Sequence, residues 1–126
     1  MANLLQRIKN VFSSDASYER TLISEQKVIA SKLYPENIEM QDYMVKEQIS
    51  AYKHLQTVND TKIKELVTQK FPANYTMQRH TYDQQLSAKN YMKTASSSQT
   101  KMKAEKRYPN DYFAQKYVYD SGNLSA

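Results

Sequence analysis

The sequence contains very little glycine and no cysteine. Its 126 residues include one Gly, Gly122, together with three Pro, no Cys and no Trp. Folds that turn often, such as β-sandwiches and doubly wound sheets, need glycine where the backbone takes a positive φ. A glycine-rich phosphate loop is excluded, as are disulfides, thiolate metal sites and cysteine nucleophiles. The composition therefore favours long helices joined by few turns.

Long apolar runs are also missing. The mean hydropathy is −0.84, and no run approaches the roughly 18 residues that a membrane-spanning helix needs. No secretory signal is evident, so we expect the chain to lie inside a cell or within a viral or organellar assembly. Tyrosine, in contrast, occurs 11 times. A tyrosine ring packs while its hydroxyl keeps a polar partner, so much of the buried surface must come from tyrosine.

Apolar residues recur at helical spacing through the first 72 residues. A short amphipathic N-terminal helix is predicted within 1–14, ended by the polar run from Ser13 to Asp15. Residues 15–72 then predict a helical bundle core. Its helices are expected over 16–34, 36–58 and 63–71, with Pro35, the turn Asn59-Asp60-Thr61 and Pro72 as boundaries. Short connections of this kind join antiparallel neighbours, so the predicted class is all-α with antiparallel helical hairpins.

Beyond residue 73 the apolar stripe thins and basic charge accumulates. Residues 1–58 carry seven basic and seven acidic side chains, whereas residues 59–126 carry eleven and six, which gives the whole net charge of +5. We predict a basic, tyrosine-rich helical arm and docking tail over 73–126, comprising an extended long helix and a short C-terminal helix. An extended strand over Tyr117–Tyr119 is the alternative, and Gly122 is expected to end the ordered fold. No internal repeat of useful length is evident.

The residue types needed for catalysis are sparse. The two histidines, His54 and His80, lie 26 positions apart. A carboxylate-bridged di-iron bundle needs a Glu three residues before each ligating His, but Ala51 and Met77 occupy those positions. Zinc-protease, calcium-loop and nucleophile-elbow motifs are also absent. The sequence therefore predicts a non-catalytic protein with no cofactor and no metal.

A structural role in a larger assembly is the function that this pattern favours. The second half has too little apolar surface to order alone, so we predict that protein partners or copies of itself complete the fold. Such subunits occur in virions, coats and organellar complexes. Tyrosine suits such contacts because it buries area at low entropic cost and keeps a polar handle. The predicted docking residues are Tyr112, Phe113, Tyr117 and Tyr119, with Leu4, Ile8 and Phe12 as a second site.

Two other partners fit parts of the sequence. A basic nucleic-acid-binding protein is the alternative function, since cations interleaved with tyrosines over 75–117 offer phosphate contacts and stacking faces. The residues of this basic patch are Lys89, Lys93, Lys101, Lys103, Lys106 and Arg107. Peripheral membrane contact through residues 4–12, which include Arg7 and Lys9 but no acid, is less favoured because the stripe is short.

Overall fold

The computed structural model is built from helices, and this confirms the all-α class. It describes the backbone of residues 4–125 and the side chains of residues 17–122, and no strand occurs within that backbone range. The helices are α1 (Leu4–Leu33), α2 (Ile38–Leu55), α3 (Thr61–Lys70), α4 (Tyr75–Thr94), α5 (Gln99–Arg107) and α6 (Tyr112–Ser125).

The helices pair into three hairpins that repeat every 37 residues. Hairpin A comprises α1 and α2, hairpin B α3 and α4, and hairpin C α5 and α6. Their first helices end at Leu33, Lys70 and Arg107, which are 37 positions apart in each case. The turns that follow read Tyr34-Pro35-Glu36-Asn37, Phe71-Pro72-Ala73-Asn74 and Tyr108-Pro109-Asn110-Asp111. The expectation of no useful internal repeat is therefore wrong. The repeat was missed because only a few turn residues recur at this spacing, rather than the sequences of the helices.

The three turns share one pattern of hydrogen bonds. A cap residue opens the second helix, since its side chain accepts from a backbone N–H three positions on. The caps are Asn37, Asn74 and Asp111, with distances of 3.1, 3.3 and 3.0 Å. A glutamine four residues after the cap then donates through Nε2 to the carbonyl of the turn aromatic. These glutamines are Gln41, Gln78 and Gln115, with distances of 2.6, 2.7 and 2.5 Å. Each turn is therefore braced from within its own hairpin.

Two predicted helix ends are wrong. Helix α1 runs for 30 residues through Ser13–Asp15, because serine and aspartate disfavour a helix interior only weakly and neither Gly nor Pro interrupts it. Helix α6 continues past Gly122 to Ser125, so Tyr117–Tyr119 is helical rather than extended. Gly122 lies against Thr100 of α5, where even a Cβ atom would collide with the threonine methyl group. The glycine serves close packing within hairpin C and does not end the fold.

The chain divides into two compact units, residues 1–56 and 57–126. The predicted bundle core over 15–72 and the predicted arm over 73–126 meet inside the turn of hairpin B, whose two helices pack against each other. In the first unit, the rings of Tyr18 and Tyr52 lie 5.6 Å apart. The interior of this unit comprises Leu22, Gln26, Ala30, Gln48, Ala51 and Leu55.

The second unit holds hairpins B and C, and its interior mixes apolar side chains with polar ones. The apolar members are Ile63, Val67, Tyr82, Ala88, Met92, Ala104 and Tyr119, and the polar members are Gln78, Thr81, Gln85 and Gln115. Among the described side chains, every buried polar atom has a hydrogen-bond partner. These hydrogen-bonded glutamines thus fill interior positions for which the sequence has too few apolar residues. A polar group is tolerated in the interior when its hydrogen bonds are satisfied.

Candidate docking surface

One buried side chain of α4 fixes the start of α6. The Gln85 Oε1 atom accepts hydrogen bonds from the backbone N–H of Tyr112 at 2.7 Å and of Phe113 at 3.3 Å. Its Nε2 atom donates to Oδ1 of the cap residue Asp111 at 2.8 Å. The first N–H groups of a helix have no partner within the helix. Gln85 supplies partners for two of them, and this joins hairpin C to hairpin B.

The inner face of α6 is held along its length. Tyr119 lies in a core cluster with Met92 and Ala104. At the next residue, Asp120, the Oδ1 atom accepts a hydrogen bond from the Tyr91 hydroxyl at 2.5 Å, and this bond raises the pKa of the Tyr91 phenol. The Lys116 ammonium lies 4.8 Å from the centre of the Tyr91 ring. These contacts leave the helix little freedom to rotate, so its opposite face is presented in a fixed orientation.

The outer face of α6 carries two exposed aromatic side chains. Phe113 is 50% exposed and Tyr117 is 71% exposed, and their spacing of four residues places them on one side of the helix. Tyr112 is half-buried, with the Lys89 ammonium 5.5 Å from its ring centre. Of the predicted C-terminal anchors, Phe113 and Tyr117 are therefore accessible, whereas Tyr119 is a core residue. Helical periodicity explains this correction, because Tyr119 points away from Phe113.

The second predicted docking site cannot be placed. The side chains of Leu4, Ile8 and Phe12 lie outside the described residues, although their backbone belongs to α1.

The predicted basic patch is split between structural and exposed cations. Lys89 pairs with Asp60 at 2.6 Å. Lys101 donates to the Ala95 carbonyl at 3.3 Å and lies 4.0 Å from Glu105. Lys89, Lys93 and Lys101 line one cleft of about 320 Å³ between α4, α5 and α6. The exposed cations of α5 are Lys103, Lys106 and Arg107. Hence only part of the patch is available to a partner.

Asp60 connects the two helices of hairpin B. Its Oδ1 atom accepts from the Ile63 N–H at 3.1 Å and caps α3, while its own N–H donates to the Tyr82 hydroxyl at 3.0 Å. Its Oδ2 atom accepts from Lys89. This hydrogen bond holds the pKa of the Asp60 carboxyl below its usual value, although burial opposes it. The same bond raises the pKa of the Lys89 ammonium.

The lowered pKa of Asp60 predicts a specific pH dependence. A carboxyl with a depressed folded-state pKa stabilises the fold above its unfolded value, near 3.9, and loses that contribution as pH falls through the folded value. We expect Asp60→Asn to unfold more easily than the wild type at pH 7, and the difference to shrink below about pH 4. Urea unfolding at a series of pH values measures the difference in the free energy of unfolding between the wild type and Asp60→Asn.

Because asparagine also caps helices well, Asp60→Ala serves as the comparison. It should add a pH-independent loss of about 1 kcal/mol, and a constant Asp60→Asn difference down to pH 2 would contradict the prediction.

Two structural features are not found in the described part of the chain, a cluster of metal ligands and a membrane-spanning helix. Within it, no three His, Asp or Glu side chains gather as a metal site would require. Over the same residues, no helix combines the length and apolar character needed to cross a membrane. Comparison with protein-family models, with curated proteins and with solved structures gives no match in any of the three.

The glutamines are the residues that the sequence analysis missed. Gln85 positions the start of α6, yet by composition it resembles any solvated polar residue. A sequence signal was present for the three turn glutamines, since each turn has the order aromatic, Pro, any residue, Asn or Asp, and then Gln four residues later. Aligning the three turns would have predicted the repeat and the role of Gln41, Gln78 and Gln115. Gln85 itself has a counterpart only in hairpin A, Gln48, because Gly122 occupies that position in hairpin C.

Proposed function

We propose that this protein is a non-catalytic helical assembly subunit that binds a protein partner through the outer face of α6. The observation that carries the proposal is the pair of exposed aromatic side chains, Phe113 and Tyr117, on a helix whose other face and N-terminus are fixed. Aromatic side chains are enriched at the centres of protein interfaces. A helix that is already ordered loses little conformational entropy on binding, so more of the contact energy becomes affinity.

Binding of nucleic acid is the second candidate, and the exposed cations of α5 favour it. Lys103, Lys106 and Arg107 offer phosphate contacts. The proposal ranks second because Lys89 and Lys101 already have partners within the chain. In addition, the Arg107 guanidinium lies 5.3 Å from the Tyr108 ring centre, so this ring already has a cation beside it rather than an open face for a base.

Site-specific photo-crosslinking in the source cell tests the first proposal. A photoreactive phenylalanine analogue is placed at Phe113 or at Tyr117, and in the control chain at the exposed Gln84 of α4. We expect positions 113 and 117 to crosslink to the same protein, and position 84 to give none of that product.

A double variant, Phe113→Gln with Tyr117→Gln, supplies the energetic test. Two interface anchors worth about 2 kcal/mol each predict a loss of affinity for the crosslinked partner on the order of a thousandfold. Helix content by circular dichroism should stay unchanged, because both side chains are exposed. Unchanged affinity, or crosslinks at position 113 to nucleic acid alone, would overturn the proposal.

A further inference from the structure

The turn of hairpin A is exposed throughout, unlike the turns of hairpins B and C. All residues from 31 to 40 are exposed, whereas each of the other two turn regions contains half-buried residues. Two large apolar side chains flank the turn of hairpin A, with Leu33 60% exposed and Ile38 65% exposed. Isolated apolar side chains on a surface are ordinary, whereas contiguous apolar patches mark contact surfaces.

The repeat shows that this apolar end is a departure from the pattern. At the last position of the first helix, hairpins B and C carry Lys70 and Arg107. Their cationic groups lie 5.7 Å from the ring centre of Phe71 and 5.3 Å from that of Tyr108, respectively. The equivalent residue in hairpin A is the exposed Leu33. The first helix therefore ends in a cationic residue in hairpins B and C, but in an apolar residue in hairpin A.

Exposed acidic residues follow this apolar end, whereas Lys32, also exposed, precedes Leu33. Glu36, Glu39 and Asp42 are all exposed, and we call the surface formed by Leu33, Glu36, Ile38 and Glu39 the acidic turn. Helix α5 offers the complementary chemistry. Its Met102 is 66% exposed and stands beside the exposed cations Lys103 and Lys106. We call these three residues the basic face. Each surface thus has an apolar centre, and the flanking charges are of opposite sign.

We propose that the acidic turn of one copy of this chain binds the basic face of a second copy, head to tail. Leu33 and Ile38 would cover Met102, while the carboxylates of Glu36 and Glu39 pair with the ammonium groups of the partner. Nucleic acid fits the basic face less well, because phosphates leave the apolar side chain of Met102 uncovered. A contact between two different surfaces is heterologous, so repeated copies build closed rings or open filaments. This contact uses neither Phe113 nor Tyr117, and it goes beyond the function proposed above.

Charge reversal on each surface tests this contact in the full chain. One variant carries Glu36→Lys and Glu39→Lys, the other Lys103→Glu and Lys106→Glu. Sedimentation velocity of the wild type should show a mass that rises with concentration and falls with added salt, since exposed ion pairs are screened. Each variant alone should associate at least tenfold more weakly. A 1:1 mixture should associate again, because each copy then meets a complementary surface on the other.

Two further variants separate surface effects from folding. Leu33→Lys introduces the residue that hairpin B has at this position, so it should preserve the hairpin and weaken association at least tenfold. Lys62→Glu with Lys70→Glu makes the same change of charge on α3 and should leave association intact.

The inference is overturned if the wild type remains a monomer at all concentrations. It is also overturned if the mixture fails to reassociate, or if reversal of the basic face abolishes only the binding of a labelled single-stranded oligonucleotide. Loss of the α6 contact would change none of these masses, so the two proposals fail independently.

Discussion

Replacing Gln85 by leucine is expected to lower the free energy of unfolding of hairpins B and C by about 3 kcal/mol. Leucine has similar volume but leaves two backbone N–H groups of α6 without the acceptor that Gln85 Oε1 provides. Orphaned buried donors cost about 1–3 kcal/mol each. The loss should concentrate at the first turn of α6, where amide hydrogen exchange of Tyr112 and Phe113 would accelerate. Urea unfolding of the full chain gives the size of the effect.

The neighbouring glutamine supplies the control for this experiment. Gln84 is exposed on the same helix, so Gln84→Leu should change stability by less than about 0.5 kcal/mol. Gln85→Glu keeps an acceptor for the two N–H groups but places a carboxylate against Asp111, so its loss should grow as pH rises from 4 to 7. A Gln85→Leu protein as stable as the control would show that the capping bonds contribute nothing.

Enlarging Ala104 to leucine is expected to destabilise hairpin C by about 2–3 kcal/mol. Ala104 has no exposed surface and lies in the cluster with Met92 and Tyr119. Three added carbon atoms must displace these neighbours or distort their rotamers, because protein interiors are close-packed. The equivalent residues in hairpins A and B, Ala30 and Val67, also have no exposed surface, so this position of the repeat is fully buried in all three hairpins.

The adjacent exposed lysine provides the comparison. Lys103→Leu adds a similar apolar group to the same helix at the surface, and it should leave the urea midpoint almost unchanged. Helix content of Ala104→Leu should persist at low temperature, since leucine is a good helix former. If Ala104→Leu were instead more stable than the wild type, the cluster around Tyr119 would contain unfilled space.

The sequence was sufficient for the helices and for most of their connections. Apolar spacing and the proline positions predicted antiparallel helices through residue 72, but not the pairing of α3 with α4 or of α5 with α6. Asp111 caps α6. The errors fell where local preference is weak. Ser13–Asp15 looked like a cap, but the helix simply passes through these residues because nothing in them forbids it. A cap residue predicts a helix start only when the preceding segment has a reason to end.

The candidate site was predicted only in part, for two physical reasons. An interpretation from amphipathic periodicity places glutamine on the solvent-facing side of a helix. It therefore does not predict that Gln85 is buried with its hydrogen bonds satisfied. Likewise, Tyr119 and Tyr117 are indistinguishable by composition, and only the rotation of α6 relative to α4 decides which ring is buried. That rotation depends on Gln85 and on the bond between Tyr91 and Asp120, contacts between residues about 30 positions apart.

The bracing of each turn by a glutamine from its own second helix has a consequence for how this protein can change in length. Since the glutamine bonds that brace each turn begin and end within one hairpin, a whole hairpin can be duplicated with its turn intact. Loss of a hairpin would cost the others only the contacts between hairpins, such as the Gln85 bonds to the start of α6. Evolution can therefore add or remove material here in steps of 37 residues, and natural variants of the architecture should differ by entire hairpins rather than by scattered insertions.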